Sequence, residues 1–312
     1  MKVLLPGTVP LDPDLPAGVT TAVYDVRRPV PDEHTDAEVL VVWGNTPENL
    51  SDAAQRLKAV RWVQTLAAGP DAVLAAGFAT DVVVTAGLGL HDRTVAEHTL
   101  GLVLAAARRL NRLVRAQIGR RWAGEWGGLQ PVDEPGAFRT LRDANVVIWG
   151  FGGIAARLAP LLAALGARVT GVARAAGERH GFPVVTDADL PGLLPETDLL
   201  INILPATRET AGVLGAAILD RLPAHAWVVN VGRGATLDED ALLAAIRAGR
   251  LGGAALDVFA EEPLPVTSGL WDEPDVIITP HAAGGRPEGA SALLGENLAA
   301  YLSGGSLRNV VS

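Results

Sequence analysis

One stretch, residues 145–155, constrains the fold of this chain more than any other, and it reads NVVIWGFGGIA. Its first five residues are mostly β-branched or aromatic, which is typical of a short buried strand, and the alanine- and leucine-rich segment after the glycines favours a helix. A strand, a glycine turn and a helix in this order open a dinucleotide-binding βαβ unit. Gly150 would make the tight turn, and Gly152 would let the backbone approach a pyrophosphate at the helix N-terminus. Ala155 takes the third small position, which the fingerprint allows.

The composition of the whole chain excludes several classes of function. Its 312 residues carry a formal net charge of −9, which disfavours a nucleic-acid or anionic-membrane partner. The absence of cysteine excludes disulfides, thiolate metal sites and cysteine nucleophiles, and we expect no metal. No uncharged apolar run reaches the roughly 18 residues that a membrane span needs, and the N-terminal run, which breaks at Pro6, is too short for a signal-peptide core. We therefore expect a soluble, cytoplasmic protein.

Strand-like and helix-like segments alternate on both sides of the glycine turn. Before it, helices are predicted to begin near Pro47 and Asp71, and strands are predicted at residues 2–5, 38–43 and 61–66. After it, five strands are predicted at residues 168–173, 198–204, 226–231, 254–259 and 275–279. Such alternation implies parallel sheets covered by helices on both faces.

We therefore predict an α/β fold with two doubly wound parallel-sheet domains. A Rossmann nucleotide-binding domain at residues 96–283 would be inserted into a flavodoxin-like substrate domain formed by residues 1–95 and 284–312. The last predicted helix, at residues 287–302, would return the chain to the first domain.

A helix of two dozen residues is predicted at residues 94–117, which read TVAEHTLGLVLAAARRLNRLVRAQ. Its first half is apolar almost all round, so we expect it to be buried on several sides, as suits a hinge or a subunit interface. The next residues, 119–138, are rich in glycine and proline without periodicity, and we interpret them as a long surface loop.

Three residues that could carry chemistry, Arg233, Glu262 and His281, each follow a predicted strand. In an open parallel sheet the ligand crevice lies beyond the carboxyl ends of the strands, so we expect them around one crevice, beside a nicotinamide. The arginine would pair with a substrate carboxylate and polarise the carbonyl. Histidine, with an ordinary pKa of about 6.5, would exchange the hydroxyl proton. A nearby glutamate would hold the imidazole in one tautomer and favour its protonated form.

This combination suits the interconversion of a 2-hydroxy acid and a 2-keto acid, but each residue also has a simpler interpretation. Arg233, between two glycines, would then only cap a turn. Glu262 would belong to a solvated acidic loop, and His281 would be a structural histidine.

The chain resembles the D-isomer-specific 2-hydroxyacid dehydrogenases over nearly its full length. Seven segments match in the family's order, namely VQTLAAGPDAV, TVAEHTLGLVLAAAR, VVIWGFGGIA, LPATRETAGVL, VNVGRGATLDEDAL, ALDVFAEEPLP and LWDEPDVIITPHAAG. The resemblance implies that Arg233 binds and polarises the substrate, and that Glu262 pairs with the acid/base His281. Formate dehydrogenases of this superfamily have glutamine where this chain has Glu262, which argues against formate.

The resemblance also implies binding residues and an assembly. For the cofactor, it implies Gly150, Gly152, Gly153, Ile154, Ala173, Arg174, Leu204, Pro205, Thr210, Val231, Gly232 and Asp257. For the substrate carboxylate, it implies backbone N–H groups of Gly44, Asn45, Ala67, Ala68 and Gly69. The family's habit is a homodimer formed through the long helix at residues 94–117.

Two departures from the family pattern concern arginines. The acidic residue that holds the ribose hydroxyls in NAD-preferring members is replaced by Ala173, which Arg174 follows. Arg174 would meet the 2′-phosphate of NADP(H), with Arg179 or His180 as further contacts, so we expect NADP(H) to be favoured over NAD(H). The alternative is that these residues changed by drift in a variable surface loop, without an effect on cofactor choice. The second arginine, Arg286, would contact another anionic group of the substrate or be an ordinary exposed residue.

The hypothesis that follows is a reductase of small 2-keto acids, with glyoxylate or hydroxypyruvate as first candidates. The WVQTLAAG segment and the arginine after the second strand resemble the glyoxylate/hydroxypyruvate reductase branch. A dinucleotide-sensing corepressor of the same fold is one alternative, because such proteins keep the same three catalytic-type residues. A dehydrogenase of the same fold with an unusual substrate, such as phosphite, is another.

Overall fold

The structure, a computed structural model, describes residues 1–129 and 137–311. The chain divides into two compact units, residues 1–91 with 285–312 and residues 92–284. Each unit contains its own sheet with helices, so the predicted α/β class with two parallel-sheet domains is confirmed. The loop predicted at residues 119–138 lies partly outside the described residues. Among the described residues, no helix is long and apolar enough to cross a membrane.

The first unit contains a five-stranded, all-parallel sheet with the order β2-β1-β3-β4-β5. Its strands are β1 (Lys2–Pro6), β2 (Thr20–Tyr24), β3 (Val39–Val42), β4 (Trp62–Thr65) and β5 (Val83–Thr85). Its helices are α1 (Pro47–Arg56), α2 (Asp71–Ala75) and, from the C-terminal segment, α9 (Ala290–Leu302). Both faces of the sheet are buried, which explains the continuous apolar runs in β1 and β3.

Helix α9 covers one face of this first sheet. Leu294 and Leu298 of α9 are fully buried and belong to the same apolar cluster as Val3, Val39 and Trp62. The opposite face is covered by a separate cluster that includes residues of α1. The C-terminal segment therefore completes the core of the first unit.

The second unit contains an eight-stranded sheet with the order β13-β12-β11-β10-β6-β7-β9-β8. Its strands are β6 (Asn145–Trp149), β7 (Arg168–Val172), β8 (Gly177–Arg179), β9 (Phe182–Val185), β10 (Leu199–Asn202), β11 (Trp227–Asn230), β12 (Gly253–Leu256) and β13 (Val276–Ile278). Its helices are α3 (Asp92–Ala107), α4 (Leu110–Ile118), α5 (Gly153–Ala164), α6 (Leu190–Leu193), α7 (Ala216–Leu219) and α8 (Glu239–Arg247). Short 3₁₀ turns across both units lie at Asp32–His34, Gly124–Trp126, Leu194–Glu196, Gly234–Thr236 and Gly269–Asp272.

All six strands predicted for this sheet are present and parallel, and a hairpin extends it beyond β7. The hairpin is formed by β8 and β9, which are antiparallel. Its turn contains His180 with φ 54° and Gly181 with φ 81°, and two consecutive residues with positive φ are what a tight two-residue hairpin loop requires.

The prediction of a single helix at residues 94–117 is wrong, because the structure contains two helices, α3 and α4, in this segment. They are separated at Arg109, whose backbone is left-handed with φ 53°. The Arg109 guanidinium lies 3.2 Å from a carboxylate oxygen of Asp275 and 5.4 Å from the ring centre of Trp227. Arg112 donates to the same Asp275 at 2.8 Å. These contacts override the helical preference of the local sequence.

A fully buried polar network joins the carboxyl ends of β10 and β11. Asn202 donates to the Oδ1 atom of Asn230 at 3.0 Å and to the hydroxyl of Thr236 at 2.6 Å. The Thr236 hydroxyl and the Asn230 amide in turn donate to the backbone carbonyl of Arg233, at 2.6 and 3.2 Å. Because buried polar groups are costly unless they are hydrogen-bonded, this network fixes the backbone of Arg233.

A pair of substitutions at Thr236 tests the importance of this network. Thr236→Val keeps the shape but removes the hydroxyl, which leaves the Asn202 amide and the Arg233 carbonyl short of a partner. We expect the free energy of unfolding to fall by about 1–3 kcal/mol or more, the cost of a buried unsatisfied group. Thr236→Ser keeps the hydroxyl and should lose less than Thr236→Val. Equal stability of the two variants in denaturant unfolding would contradict this account.

Candidate active site

The predicted acid/base residues are in direct contact. The Nδ1 atom of His281 lies 2.8 Å from Oε2 of Glu262. The other oxygen of this carboxylate, Oε1, accepts the backbone N–H of Phe259 at 3.0 Å. A carboxylate only accepts hydrogen bonds, so Nδ1 of His281 carries the hydrogen and Nε2 is left to face a ligand.

Three neighbouring strands place Arg233, Glu262 and His281 at the same edge of the second sheet. Arg233 follows β11, Glu262 follows β12 and His281 follows β13, and these strands are adjacent and parallel. The carboxyl ends of parallel strands meet at one edge, where open α/β sheets bind their ligands. A cavity of about 400 Å³ beside the Glu262–His281 pair is lined mainly by apolar side chains, among them Phe259 and Trp271.

The two glycines around Arg233 are explained by close backbone contacts. A Cβ atom on Gly232 would lie 2.6 Å from the carbonyl oxygen of Leu204, and one on Gly234 would lie 1.8 Å from the carbonyl carbon of Phe259. The half-buried Arg233 donates from Nη1 to the carbonyl of Gly232 at 2.8 Å. This contact is to the neighbouring residue, and the Arg233 side chain does not cap the 3₁₀ turn that follows it. The buried network behind Arg233 holds its backbone.

The glycine turn after β6 fits a dinucleotide phosphate. Gly150 has φ 99°, and a Cβ atom there would lie 2.8 Å from the carbonyl oxygen of Ile203. Gly152 is the N-cap of α5, and a Cβ atom there would meet nothing within 4 Å, which leaves the backbone open to a ligand. Helix α5 then begins at Gly153 and continues through Ile154. Its N-terminal N–H groups and dipole favour an anion at this position.

The loop after β7 carries the residues predicted to select the cofactor. Ala173 is partly buried and contributes to the core, whereas Arg174 and His180 are exposed. Arg179 donates to the backbone carbonyl of Phe151 in the glycine turn at 3.2 Å and to that of Ala175 at 3.0 Å. The Arg179 guanidinium therefore ties this loop to the glycine turn.

The loop after β10 lies within electrostatic range of Arg174. A hydrogen bond from Thr207, with a smaller contribution from the charge of Arg174, lowers the pKa of the Glu209 carboxyl. The same loop includes Leu204 and Pro205, and the Thr210 hydroxyl donates to the Pro205 carbonyl at 2.6 Å.

The remaining residues predicted to bind the cofactor lie at the ends of β11 and β12. Val231 and Gly232 are buried directly after β11. Asp257 follows β12, and its side chain is only 1 % exposed. Its carboxylate accepts hydrogen bonds from the segment that carries His281, including the backbone N–H of Ala282 at 2.8 Å.

In the first unit, the side chain of Asn45 has a structural role. Its Oδ1 atom accepts the N–H of Trp43 at 3.0 Å, and its amide donates to the hydroxyl of Tyr24 and to Asn49, both at 2.7 Å. Burial raises the pKa of Tyr24, so its hydroxyl stays neutral. With its side chain engaged, Asn45 can offer a substrate its backbone N–H, next to Gly44 at φ 74°.

The loop after β4 is held by backbone contacts within the same unit. The N–H of Ala67 donates to the Thr65 hydroxyl at 3.1 Å, and the Ala67 carbonyl accepts the N–H of Gly87 at 2.7 Å. Ala68 and Gly69, the other residues predicted to bind the substrate carboxylate here, follow in the same loop and are half-buried. Arg286 is exposed in the segment before α9.

Comparison with known proteins identifies the family. Residues 100–283 match the family described as D-isomer specific 2-hydroxyacid dehydrogenase, NAD binding domain. The glyoxylate/hydroxypyruvate reductase A of Salmonella paratyphi B is 33 % identical over 294 residues, which cover 89 % of this chain and 87 % of that protein.

Solved structures agree with this match over the full chain. A D-isomer specific 2-hydroxyacid dehydrogenase family protein from Aeromonas salmonicida has a TM-score of 0.82 and 27 % identity, covering 100 % of this chain and 98 % of its own. An NADPH-dependent glyoxylate/hydroxypyruvate reductase from Sinorhizobium meliloti, solved with NADP and sulfate, has a TM-score of 0.80 and 26 % identity, again covering 100 % and 98 %. This chain belongs to the D-isomer-specific 2-hydroxyacid dehydrogenases and is an NAD(P)-dependent enzyme of that family.

Proposed function

We propose that this enzyme reduces small 2-keto acids to 2-hydroxy acids, with glyoxylate and hydroxypyruvate as its first substrates and NADPH as its preferred cofactor. The observation that carries the proposal is the 2.8 Å contact between Nδ1 of His281 and the Glu262 carboxylate. Similar proteins support the substrate, because the Salmonella relative is named a glyoxylate/hydroxypyruvate reductase and so is the Sinorhizobium enzyme.

Each of the three residues has a defined task in this reaction. The Arg233 guanidinium pairs with the substrate carboxylate and polarises the keto oxygen. The glycine turn after β6 and the N-terminus of α5 would hold a reduced nicotinamide dinucleotide, which would supply a hydride for the carbonyl carbon. The Nε2 atom of protonated His281 gives its proton to the carbonyl oxygen, which becomes the hydroxyl group. Glu262 holds the ring through Nδ1 and stabilises the positive charge of the imidazolium before the transfer.

Two neighbouring glutamates, Glu261 and Glu262, allow a matched test of the Glu262–His281 pair. The Glu262 carboxylate accepts a hydrogen bond from Nδ1 of His281 and so leaves Nε2 to act on the substrate. In Glu262→Gln the amide can turn its N–H group toward Nδ1 and favour the other tautomer, and we expect kcat for glyoxylate to fall by about 10²–10⁴-fold. Glu261→Gln removes a neighbouring exposed charge and should keep the wild-type kcat. Equal kcat for Glu262→Gln and Glu261→Gln would refute the pairing as part of the mechanism.

The preference for NADPH follows from the charges after β7. Ala173 has no carboxylate to bind the ribose 2′-hydroxyl or to repel a 2′-phosphate. Arg174 is exposed beside it and can form a charge-assisted pair with that phosphate. A Xanthobacter autotrophicus homologue, 29 % identical, was solved with NADPH.

Substitution of Arg174 measures this preference directly. We expect Arg174→Ala to lower kcat/KM for NADPH by about ten- to a hundredfold, since each tenfold change corresponds to about 1.4 kcal/mol, with little effect on NADH. Ala173→Asp combined with Arg174→Ala should reverse the order of the two cofactors. Arg221→Ala, which removes an exposed arginine far along the chain, is the control. All assays share one salt concentration because ions screen the contact, and a tenfold preference of the wild type for NADH would refute the proposal.

The assembly we propose is a homodimer formed through α4 rather than through one long helix. Leu110, Val114 and Ile118 follow a four-residue spacing on α4 and are 46, 50 and 78 % exposed. Trp122, just beyond the helix, is 94 % exposed. A contiguous apolar stripe of this kind is uncommon on monomers. A second copy of this chain, related by twofold symmetry, would cover the stripe with the same surface of its own.

Charge placed on this stripe tests the dimer. We expect the wild type to run as a dimer in light scattering at micromolar concentration, and the double variant Val114→Glu and Ile118→Glu to run as a monomer that still binds NADPH. Val266→Glu, at a still more exposed valine outside α4, should remain dimeric. A monomeric wild type would overturn the proposal, as would a dimeric double variant.

A further inference from the structure

The Asp257 carboxylate organises the segment that carries His281. It lies at the end of β12 and is 1 % exposed. Its Oδ1 atom accepts the Thr279 hydroxyl at 2.6 Å and the N–H of Ala282 at 2.8 Å, and its Oδ2 atom accepts the N–H of Ala283 at 3.1 Å. A buried charge requires such partners, since an unpaired one would be very costly. Asp257 therefore holds residues on both sides of His281.

His281 itself has a backbone conformation that needs this support. Its φ is 49°, in the left-handed region that is unfavourable for a residue with a Cβ atom. Its N–H donates to the backbone carbonyl of Asp257 at 2.8 Å. The side chain and the backbone of Asp257 thus act together to impose the conformation from which the imidazole reaches Glu262.

A second histidine, His98 of α3, completes this cluster. Its Nε2 atom lies 3.1 Å from the Thr279 hydroxyl oxygen and 3.3 Å from Oδ1 of Asp257. The single hydroxyl proton of Thr279 is already donated to Asp257, so this oxygen can only accept from the imidazole. Nε2 of His98 must therefore carry a hydrogen, which it shares between the hydroxyl and the carboxylate.

We propose that His98 is a positioning residue for keto-acid reduction, acting through Thr279 and Asp257 on the segment that carries His281. The Nε2–H group of His98 donates to the Thr279 hydroxyl oxygen. This strengthens the hydrogen bond that the Thr279 hydroxyl donates to Asp257, because hydrogen bonds in a chain polarise one another. This inference rests on the acid/base role proposed for His281. His98 does not donate a proton to the substrate, and any side chain that places an N–H at the same point should replace it.

Two substitutions of similar size separate this role from the alternatives. Glutamine can place its Nε2 amide where the histidine Nε2 lies, whereas leucine fills the space without a donor. We expect His98→Leu to lose about ten- to a hundredfold in kcat, since a misplacement of about 1 Å can cost a hundredfold, while the KM for glyoxylate and the Kd of NADPH change by less than about threefold. His98→Gln should recover kcat to within about threefold of wild type, with the wild-type pH profile.

Several outcomes would overturn the proposal. A His98→Leu enzyme with wild-type kcat would show that the contact has no effect on the reaction. A His98→Gln enzyme as slow as His98→Leu, or one lacking a limb of the pH profile, would make His98 a proton donor or a purely structural residue. If His98→Leu fails to fold, the comparison of Thr279→Val with Thr279→Ser replaces it, because only serine keeps the hydroxyl. Equal kcat in these two variants would show that His98 does not act through the Thr279 hydroxyl and would refute the proposal.

The same assays distinguish failure of this inference from failure of the proposed function. If His281→Ala is inactive while His98→Leu matches the wild type, the acid/base role stands and the positioning role falls. If His281→Ala keeps its activity, the acid/base role of His281 falls, and the effect of His98 on kcat loses its basis. If the wild type itself reduces no 2-keto acid, the proposed function falls.

Discussion

The site depends on one property of parallel sheets, which is that the ends of adjacent strands meet at a single edge. In the second unit β11, β12 and β13 are neighbours, and they deliver Arg233, Asp257, Glu262 and His281 to that edge from widely separated parts of the sequence. Strands β11 and β12 are short and fully buried, and the three-residue β13 is the outermost strand, paired with β12, so the end of each strand is firmly placed. The chemistry can then be carried by loops on a fixed scaffold.

Behind the exposed residues of this edge lie buried polar groups that determine where those residues point. Arg233 is backed by the Asn202–Asn230–Thr236 network, and His281 is backed by Asp257. A half-satisfied buried network would be worse than an apolar core. These clusters therefore constrain the backbone strongly, and they fix the positions of Arg233 and His281, on which the proposed reaction depends.

The parts of the molecule that could be predicted are those determined by short, continuous stretches of sequence. The apolar runs of β6, β10 and β11 and the glycine turn at Gly150 predict strands and a nucleotide site, and the resemblance to a family pointed to the Glu262–His281 pair. The edge strands were missed because β2 is largely exposed and β5 has three residues. The break at Arg109 was missed because Asp275, distant in sequence, causes it. Asn202 and His98 gave no signal, since a polar residue within an apolar segment reveals its partners only in three dimensions.

The central claim is that this edge of the sheet reduces small 2-keto acids, and a survey of the purified wild type tests it most directly. Initial rates would be measured for glyoxylate, hydroxypyruvate and larger 2-keto acids with NADPH and with NADH. The account predicts turnover of glyoxylate or hydroxypyruvate in the ordinary enzymatic range of about 1–10³ s⁻¹, with NADPH preferred. A protein that binds NADPH but reduces none of these acids would contradict the account, because the Arg233, Glu262 and His281 arrangement would then serve recognition of the dinucleotide and not catalysis.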